Sequence, residues 1–317
     1  MSRFSDFGND LYTGTRSINV VGKRKTWYSI SAVLLAIFLA FSLVKGFNFG
    51  IEFRGGSEFR VAGVIETSQQ LAVDAVKSVV PEQNPLVSNV GTDSIRVQTE
   101  QLSDLESEDV RVALATAYGV NSSDVASSFI GANWGADVTS KALTGLIVFI
   151  ALAAVLMALY FRTLKMSVAA VVALLHDLVI TAGVYALTGF EVTPAAVIGF
   201  LTILGYSLYD TVVVFDKIRE NTLDVEHSET TTFAQQVNYA VNQTLVRSIN
   251  TTVVAVLPVA SILFIGAALL GAGTLRDIAL ALFIGMLIGT YSTIFIAAPL
   301  YSQLREKEPR FSKVKAA

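Results

Sequence analysis

LGYSLYDTVVVFDKIREN, residues 204–221, places a carboxylate, Asp210, inside a run that opens at Val192 and is otherwise uncharged until Asp216. A lone ionised carboxylate in a low-dielectric medium must find a partner, take up a proton or face trapped water. The rest of the chain decides which medium surrounds it. Apolar residues make up 53% of 317 residues and charged ones 15%, and mean hydropathy is +0.58, outside the balance of a soluble globular domain. Uncharged gaps run Thr26 to Val44, Ala142 to Phe161, Ser248 to Leu275 and Ile278 to Leu304. Two more, Met166 to Phe190 and Val192 to Phe215, are interrupted only by His176, Asp177 and Asp210. Each approaches or exceeds the roughly 20 residues a helix needs to cross about 30 Å of hydrocarbon.

The chain therefore reads as an α-helical polytopic membrane protein with six transmembrane helices, about 26–45, 141–161, 166–188, 193–215, 249–271 and 277–300. Segment 1–25, loop 216–247 and tail 305–317 fall on one side, and residues 46–140 form a domain on the other. Lys and Arg set the orientation. Arg3, Arg16, Lys23, Arg24, Lys25, Arg162, Lys165, Lys217, Arg219, Arg247, Arg305, Lys307, Arg310, Lys313 and Lys315 lie on the side of the termini, against Arg276 alone in the opposite short loops. Both termini are expected in the cytoplasm and 46–140 outside. The first apolar run has a basic front but no small-residue cleavage pattern after it, so it is expected to stay as an anchor.

The domain from Gly50 to Val138 carries thirteen acids against five bases, which disfavours nucleic acid as a partner. The chain has no cysteine, which excludes disulfides and thiolate metal sites. No metal, cofactor or catalytic constellation is expected, and no enzymatic role. The domain's elements read as strand Ser57–Val64, helix Thr67–Val80 opened by a Thr67/Gln70 capping box, strands Val87–Val90 and Ser94–Thr99 as a hairpin, helix Ser103–Tyr118 with a Ser103/Glu106 box, and strand Val125–Ile130. This β-α-β-β-α-β order is that of a small α+β ferredoxin-like sandwich with one sheet face left free for binding or pushing. Before it, FGIEFRGG, Phe49 to Gly56, ends in adjacent glycines that suit a tight turn or a close approach.

Within the membrane half, Asp177 lies near mid-span beside His176, Asp210 lies in the cytoplasmic half of the next helix, and Arg247 stands where the following one begins. Asp210 shares a helical face with Ser207, Tyr206, Ile203 and Gly199, a small and polar face expected to point into the bundle. Asp210 is read either as a proton-binding acid or as a structural interhelical hydrogen bond. Arg247 is its partner or a snorkelling anchor, and His176 with Asp177 a second proton site or a satisfied pair. Gly285 and Gly289, spaced as GxxxG, read as close helix packing. An Asp whose distance to an Arg changes with conformation can bind a proton in one state and release it in the other, without metal or cofactor.

FGIEFRGG after the first span, LLHDLVIT in the third, GYSLYDTVVVFDKIREN in the fourth and NQTLVRSINTT entering the fifth resemble the SecF branch of the SecD/SecF protein-export family, within the RND superfamily. The resemblance covers nearly the whole chain. Its signature positions are Gly50, Glu52, Phe53, Gly55 and Gly56 after the first helix, and Gly205, Tyr206, Ser207, Thr211, Asp216, Arg219, Glu220 and Asn221 in the fourth. Glu52 stands where many members have Asp, and Tyr209 where many have Asn. The resemblance implies half of an RND-type repeat pair, a SecD-like homologous subunit, the SecYEG channel and a translocating preprotein as partners, and proton flow coupled to late export. It implies Asp210 as the proton-binding acid, Arg247 as its basic partner and His176 with Asp177 as a secondary site. A small-molecule proton antiporter or a non-transporting assembly subunit are the competing expectations.

Overall fold

Among the described residues, six helices are long and apolar enough to cross a membrane. The computed structural model describes residues 3–223, 225, 230–266 and 273–311. Spans one to six are Arg24–Lys45, Ala132–Phe161, Leu164–Thr188, Pro194–Thr222, Phe233–Ser261 and Gly273–Ser292. Span five continues as a π helix over Ile262–Gly266, and span six passes through another, Thr293–Ala297, into Ala298–Arg305. Residues 1–2, 224 and 226–229 of the expected end segment and loop, 267–271 of the expected fifth helix, and 312–317 with Lys313 and Lys315 lie outside the described residues. The third, fourth and sixth spans form the buried middle of the bundle, with the first, second and fifth around them.

Several helices overrun the bounds that hydropathy suggests. Hydropathy senses the surrounding solvent, whereas a helix runs until a cap stops it. Span two begins at Ala132 rather than near 141, and span five at Phe233, where Thr232 and Gln235 close a capping box, rather than near 249. Much of the expected loop 216–247 is consequently helix. A short helix, Arg3–Thr13, lies within the N-terminal segment, for which the sequence reading expects no element. The chain just after it is held to span five by the Asn242 and Asn238 side chains, which accept from the backbone N–H groups of Ile18 and Val20 at 2.7 and 2.8 Å. Arg24 donates two 2.7 Å bonds to Glu306, joining the start of span one to the chain just past span six.

The α+β domain has the expected element order. Strands β2 (Gly56–Ala62), β3 (Leu86–Val90), β4 (Ser94–Thr99) and β5 (Val125–Ile130) form an antiparallel sheet in the order β3-β4-β2-β5. Helices Gln69–Val79 and Asp104–Tyr118 cover one face, enclosing Phe59, Val61, Val76, Ile95, Val97 and Leu114. The Ser103/Glu106 capping box forms as expected. The Thr67/Gln70 box does not: the N-cap is Ser68, without a side-chain bond, and Gln70 turns along the helix to donate to Asp74 at 2.8 Å.

The second sheet face is not free. Strands β1 (Asn48–Phe49) and β6 (Glu191–Val192) pair in parallel between span one and the turn from span three to span four. Glu191 on β6 reaches up to the sheet, where it accepts from Gln98 at 2.8 Å and from Arg96, while Gln98 also donates to Glu58 at 3.0 Å. The expected open face is therefore in part a seat on the membrane bundle, because three polar residues of its strands project toward a buried carboxylate. The FGIEFRGG stretch makes the turn into the domain. A four-residue helix, Ile51–Arg54, ends on Gly55 at φ 76°, and Gly56 follows at φ 137°, where a Cβ would collide with the Thr99 carbonyl.

Glu52 in this turn has a buried oxygen without a hydrogen bond. Burial, then the neighbouring Glu191 and Glu58, push its carboxyl above the ordinary 4.5, against the lowering effects of a backbone hydrogen bond and Arg96. The folded junction thus holds this proton more tightly than the unfolded chain. Its contribution is full below about 4.5 and is lost as pH rises through the raised value. Between about pH 5 and about pH 8, thermal melting of the purified protein should fall more for the wild type than for Glu52→Gln; parallel profiles would assign the titration elsewhere.

Candidate functional site

Spans three, four, five and six meet around two carboxylates. Asp177 on span three is fully buried, and its Oδ2 accepts a 2.6 Å bond from Ser207 on span four. Its Oδ1 lies 3.3 Å from Nδ1 of the buried His176, whose Nε2 has no partner among the described residues. One helical turn beyond Ser207, Asp210 accepts from Ser248 of span five at 2.8 Å, and its second oxygen is buried without a bond. Around these pairs hydroxyls link the remaining helices. Tyr206 donates to Thr252 at 3.3 Å, Thr252 meets Thr290 of span six, and Thr211 lies 2.9 Å from Thr293.

The face predicted for span four is the buried one: Gly199, Ile203, Ser207 and Asp210 point inward, with Tyr206 half-buried at its edge. Close helix approach is what places it there. A Cβ on Gly285 would collide with Ile203, and one on Gly289 would stand 3.0 Å from the Ser207 Cβ and 3.5 Å from Asp177 Oδ2. Gly199 repeats the device against Ala281. The GxxxG therefore does more than pack two helices, since Gly289 forms one wall of the Asp177 site.

Arg247 is not in hydrogen-bond contact with Asp210. Its side chain is exposed and acts on Asp210 through space, while Ser248, the next residue, supplies the bond. Arg247 instead lines an open cavity of about 510 Å³ with Asp216, Lys217 and Glu220. Sequence reading missed Ser248 and the π turn at Thr293–Ala297. Ser248 and Thr252, four apart in the run entering span five, were the available signal; the π turn, an irregularity often found at functional sites, has none.

Comparison with known proteins places the arrangement. A family model described as protein export membrane protein SecD/SecF, C-terminal, matches residues 110–307, and one described as SecD/SecF GG motif matches residues 40–62. The chain is 42% identical to protein translocase subunit SecF of Streptomyces coelicolor, over 99% of this chain and 84% of that one. The chain belongs to the SecD/SecF family. It is also 40% identical to the SecF subunit of Mycobacterium leprae, over 97% of this chain and 68% of the relative. The crystal structure of SecDF from Thermus thermophilus, a translocon-associated membrane protein, matches with a TM-score of 0.81 at 28% identity. That match covers 92% of this chain but 39% of the SecDF chain, so the present chain spans well under half of it. A SecDF structure in a super-membrane-facing form matches over the same shares with a TM-score of 0.63.

Within this SecD/SecF family member, the signature residues divide by location. Ser207, Asp210 and Thr211 face the bundle interior; Asn221 donates to Gln243 at 2.8 Å, and Glu220 pairs with Lys217 at 2.7 Å. Asp216 and Arg219 are exposed. Gly205 points outward, with nothing near a Cβ built on it. Two glycines of spans four and six thus make opposite predictions for the isolated chain. Gly285→Ala should lower stability by about 1–3 kcal/mol through overpacking, whereas Gly205→Ala should be neutral or raise it by up to about 1 kcal/mol. Thermal denaturation in detergent measures both, and equal losses would refute the packing assigned here.

Proposed function

We propose that this chain is the SecF-type subunit of a protein-export assembly, in which protons passing Asp210 and Asp177 drive movement of the α+β domain. The observation that carries this reading is the position of β6. It joins spans three and four, which bear Asp177 and Asp210, and it is bonded both to β1 and, through Glu191, to the domain sheet. A proton that enters or leaves either carboxylate changes what Ser207 or Ser248 can donate to, and any resulting shift of span three against span four moves the strand under the domain. Each proton crossing the membrane contributes about 2.3 kcal/mol per 100 mV, enough to bias a two-state equilibrium roughly fiftyfold. The task needs no metal, and proton transfer at the carboxylates is its only bond-making step.

The distribution of Lys and Arg favours both termini in the cytoplasm and the domain outside, against the emerging preprotein and beside a SecYEG-type channel. A SecD-like partner is favoured by the outer face of span four. Ile198, Thr202, Gly205 and Tyr209 form an exposed stripe at i, i+4, i+7 and i+11, with Tyr209 59% exposed. A glycine gains nothing from facing lipid, but it lets another helix approach closely. The chain spans 39% of the SecDF chain it matches, leaving room in that protein for such a partner.

Export of a secreted reporter should fall in cells carrying Asp210→Asn at matched membrane abundance, and the residual export should no longer respond to collapse of the proton gradient; normal export with an intact response would return Asp210 to a packing role. Because the chain has no cysteine, Tyr209→Cys introduces its single thiol. It should form a crosslink to the SecD-like subunit in membranes, and a thiol that reacts with maleimide but never crosslinks would remove the partner from this face.

A further inference from the structure

At the end of the bundle opposite the α+β domain, the turn from span two to span three and the ends of spans four and six enclose a cavity of about 520 Å³ that the proton reading does not use. Four cationic side chains line it, Arg162, Lys165, Arg219 and Arg305, against one carboxylate, Glu308. That carboxylate is already engaged: Lys165 donates to it at 2.6 Å, and Arg305 lies 3.4 Å from it. Arg305 is further fixed by a 2.5 Å bond to the Tyr301 hydroxyl and by the Phe311 ring, 5.0 Å beneath its guanidinium. The side chains of Arg162 and Arg219 are exposed and make no ion pair or hydrogen bond among the described residues. The cavity therefore keeps two uncommitted guanidinium groups beside two that are held in place, an excess of three positive charges in its described lining.

The backbone adds an independent sign. Arg162 ends span two at φ 51° and is the one non-glycine at positive φ among the described residues. Helices commonly end in this left-handed conformation on glycine, because a Cβ is strained there. An arginine at that position tolerates the strain and places a long cationic side chain in the lining of the cavity. Beside it, the N-cap Thr163 of span three makes no side-chain bond to the first turn of that span, whose residues Leu164, Lys165 and Met166 also line the cavity, and the start of a helix favours negative charge. Leu164 and Leu223, 74% and 67% exposed, stand on the rim where the spans leave the hydrocarbon.

We propose that this cavity binds the phosphate of an anionic phospholipid headgroup, held by the Arg162 and Arg219 guanidinium groups, with the acyl chains running down past Leu164. A phosphate group suits paired guanidinium donors, and basic pockets between spans at a membrane face recruit anionic lipids. Free inorganic phosphate shares the chemistry but not the acyl chains, so the two sources separate experimentally.

The full chain in detergent is titrated with phosphatidylglycerol, with phosphatidylcholine and with inorganic phosphate. Thermal stability and the bound mass by native mass spectrometry are followed. Phosphatidylglycerol should stabilise and remain bound, whereas phosphatidylcholine should do neither. Arg162→Gly with Arg219→Gln should weaken the response about ten- to thirtyfold, and Glu308→Gln, which frees Lys165 and Arg305, should strengthen it. All variants are scored by the shift on adding lipid, so a change in baseline folding does not decide the outcome. Equal responses to the two lipids, an unaltered response in the double variant, or stabilisation by inorganic phosphate matching that by phosphatidylglycerol would each overturn the assignment.

Discussion

The Ser207 hydroxyl donates to the Asp177 carboxylate at 2.6 Å, between two helices whose surroundings are almost entirely apolar. An acid at that depth needs a donor from a neighbouring helix, and Gly289 lets span six close against both members of this pair. The same requirement recurs one turn away, where Ser248 meets Asp210. Each of these two interhelical bonds thus fixes the rotation of two helices. The hydroxyl contacts Tyr206–Thr252–Thr290 and Thr211–Thr293 follow the same logic among spans four, five and six, and together with Ser207–Asp177 they make four helices a unit rather than a collection.

That unit is tied to the α+β domain at one polar junction. Strand β6 is two residues long, yet it follows span three, precedes span four, pairs with the strand after span one and carries the carboxylate that meets Arg96 and Gln98. A buried acid with partners from separate parts of the fold is costly to detach, since separating it leaves unpaired charge on both sides. The junction therefore joins the domain to the spans, and the tight glycine turn at Gly55 and Gly56 lets the chain pass it without a bulky side chain in the way. At the opposite end, Arg24 with Glu306 and Lys165 with Glu308 hold the last span to the first and third.

Much of this was legible in the sequence because solvent leaves a composition signature. Uncharged runs located six spans, and the spacing of Gly199, Ile203, Ser207 and Asp210 identified the buried face of span four. Local chemistry was equally readable where a motif is self-contained: Ser103 and Glu106 cap each other within one turn, and the split β-α-β-β-α-β order followed from alternation and turns. The Thr67/Gln70 box failed because its residues had a second use at hand, with Asp74 four residues beyond Gln70. Helix ends failed for a related reason, since hydropathy changes at the membrane boundary while a helix stops at its cap.

The sequence by itself determined which residues lie in hydrocarbon, which helix face carries the acids, and which family the motifs resemble, because these depend on residue type and on periods of two or 3.6. Only the tertiary structure decided who meets whom. It put Ser248 rather than Arg247 on Asp210, turned Gly289 toward Asp177, seated the sheet's second face on Glu191 and gathered Arg162, Lys165, Arg219 and Arg305 around one cavity. Those pairings join positions tens of residues apart, and they rest on helix rotation and approach within a few ångströms, a choice set by packing across the whole bundle rather than by any local pattern.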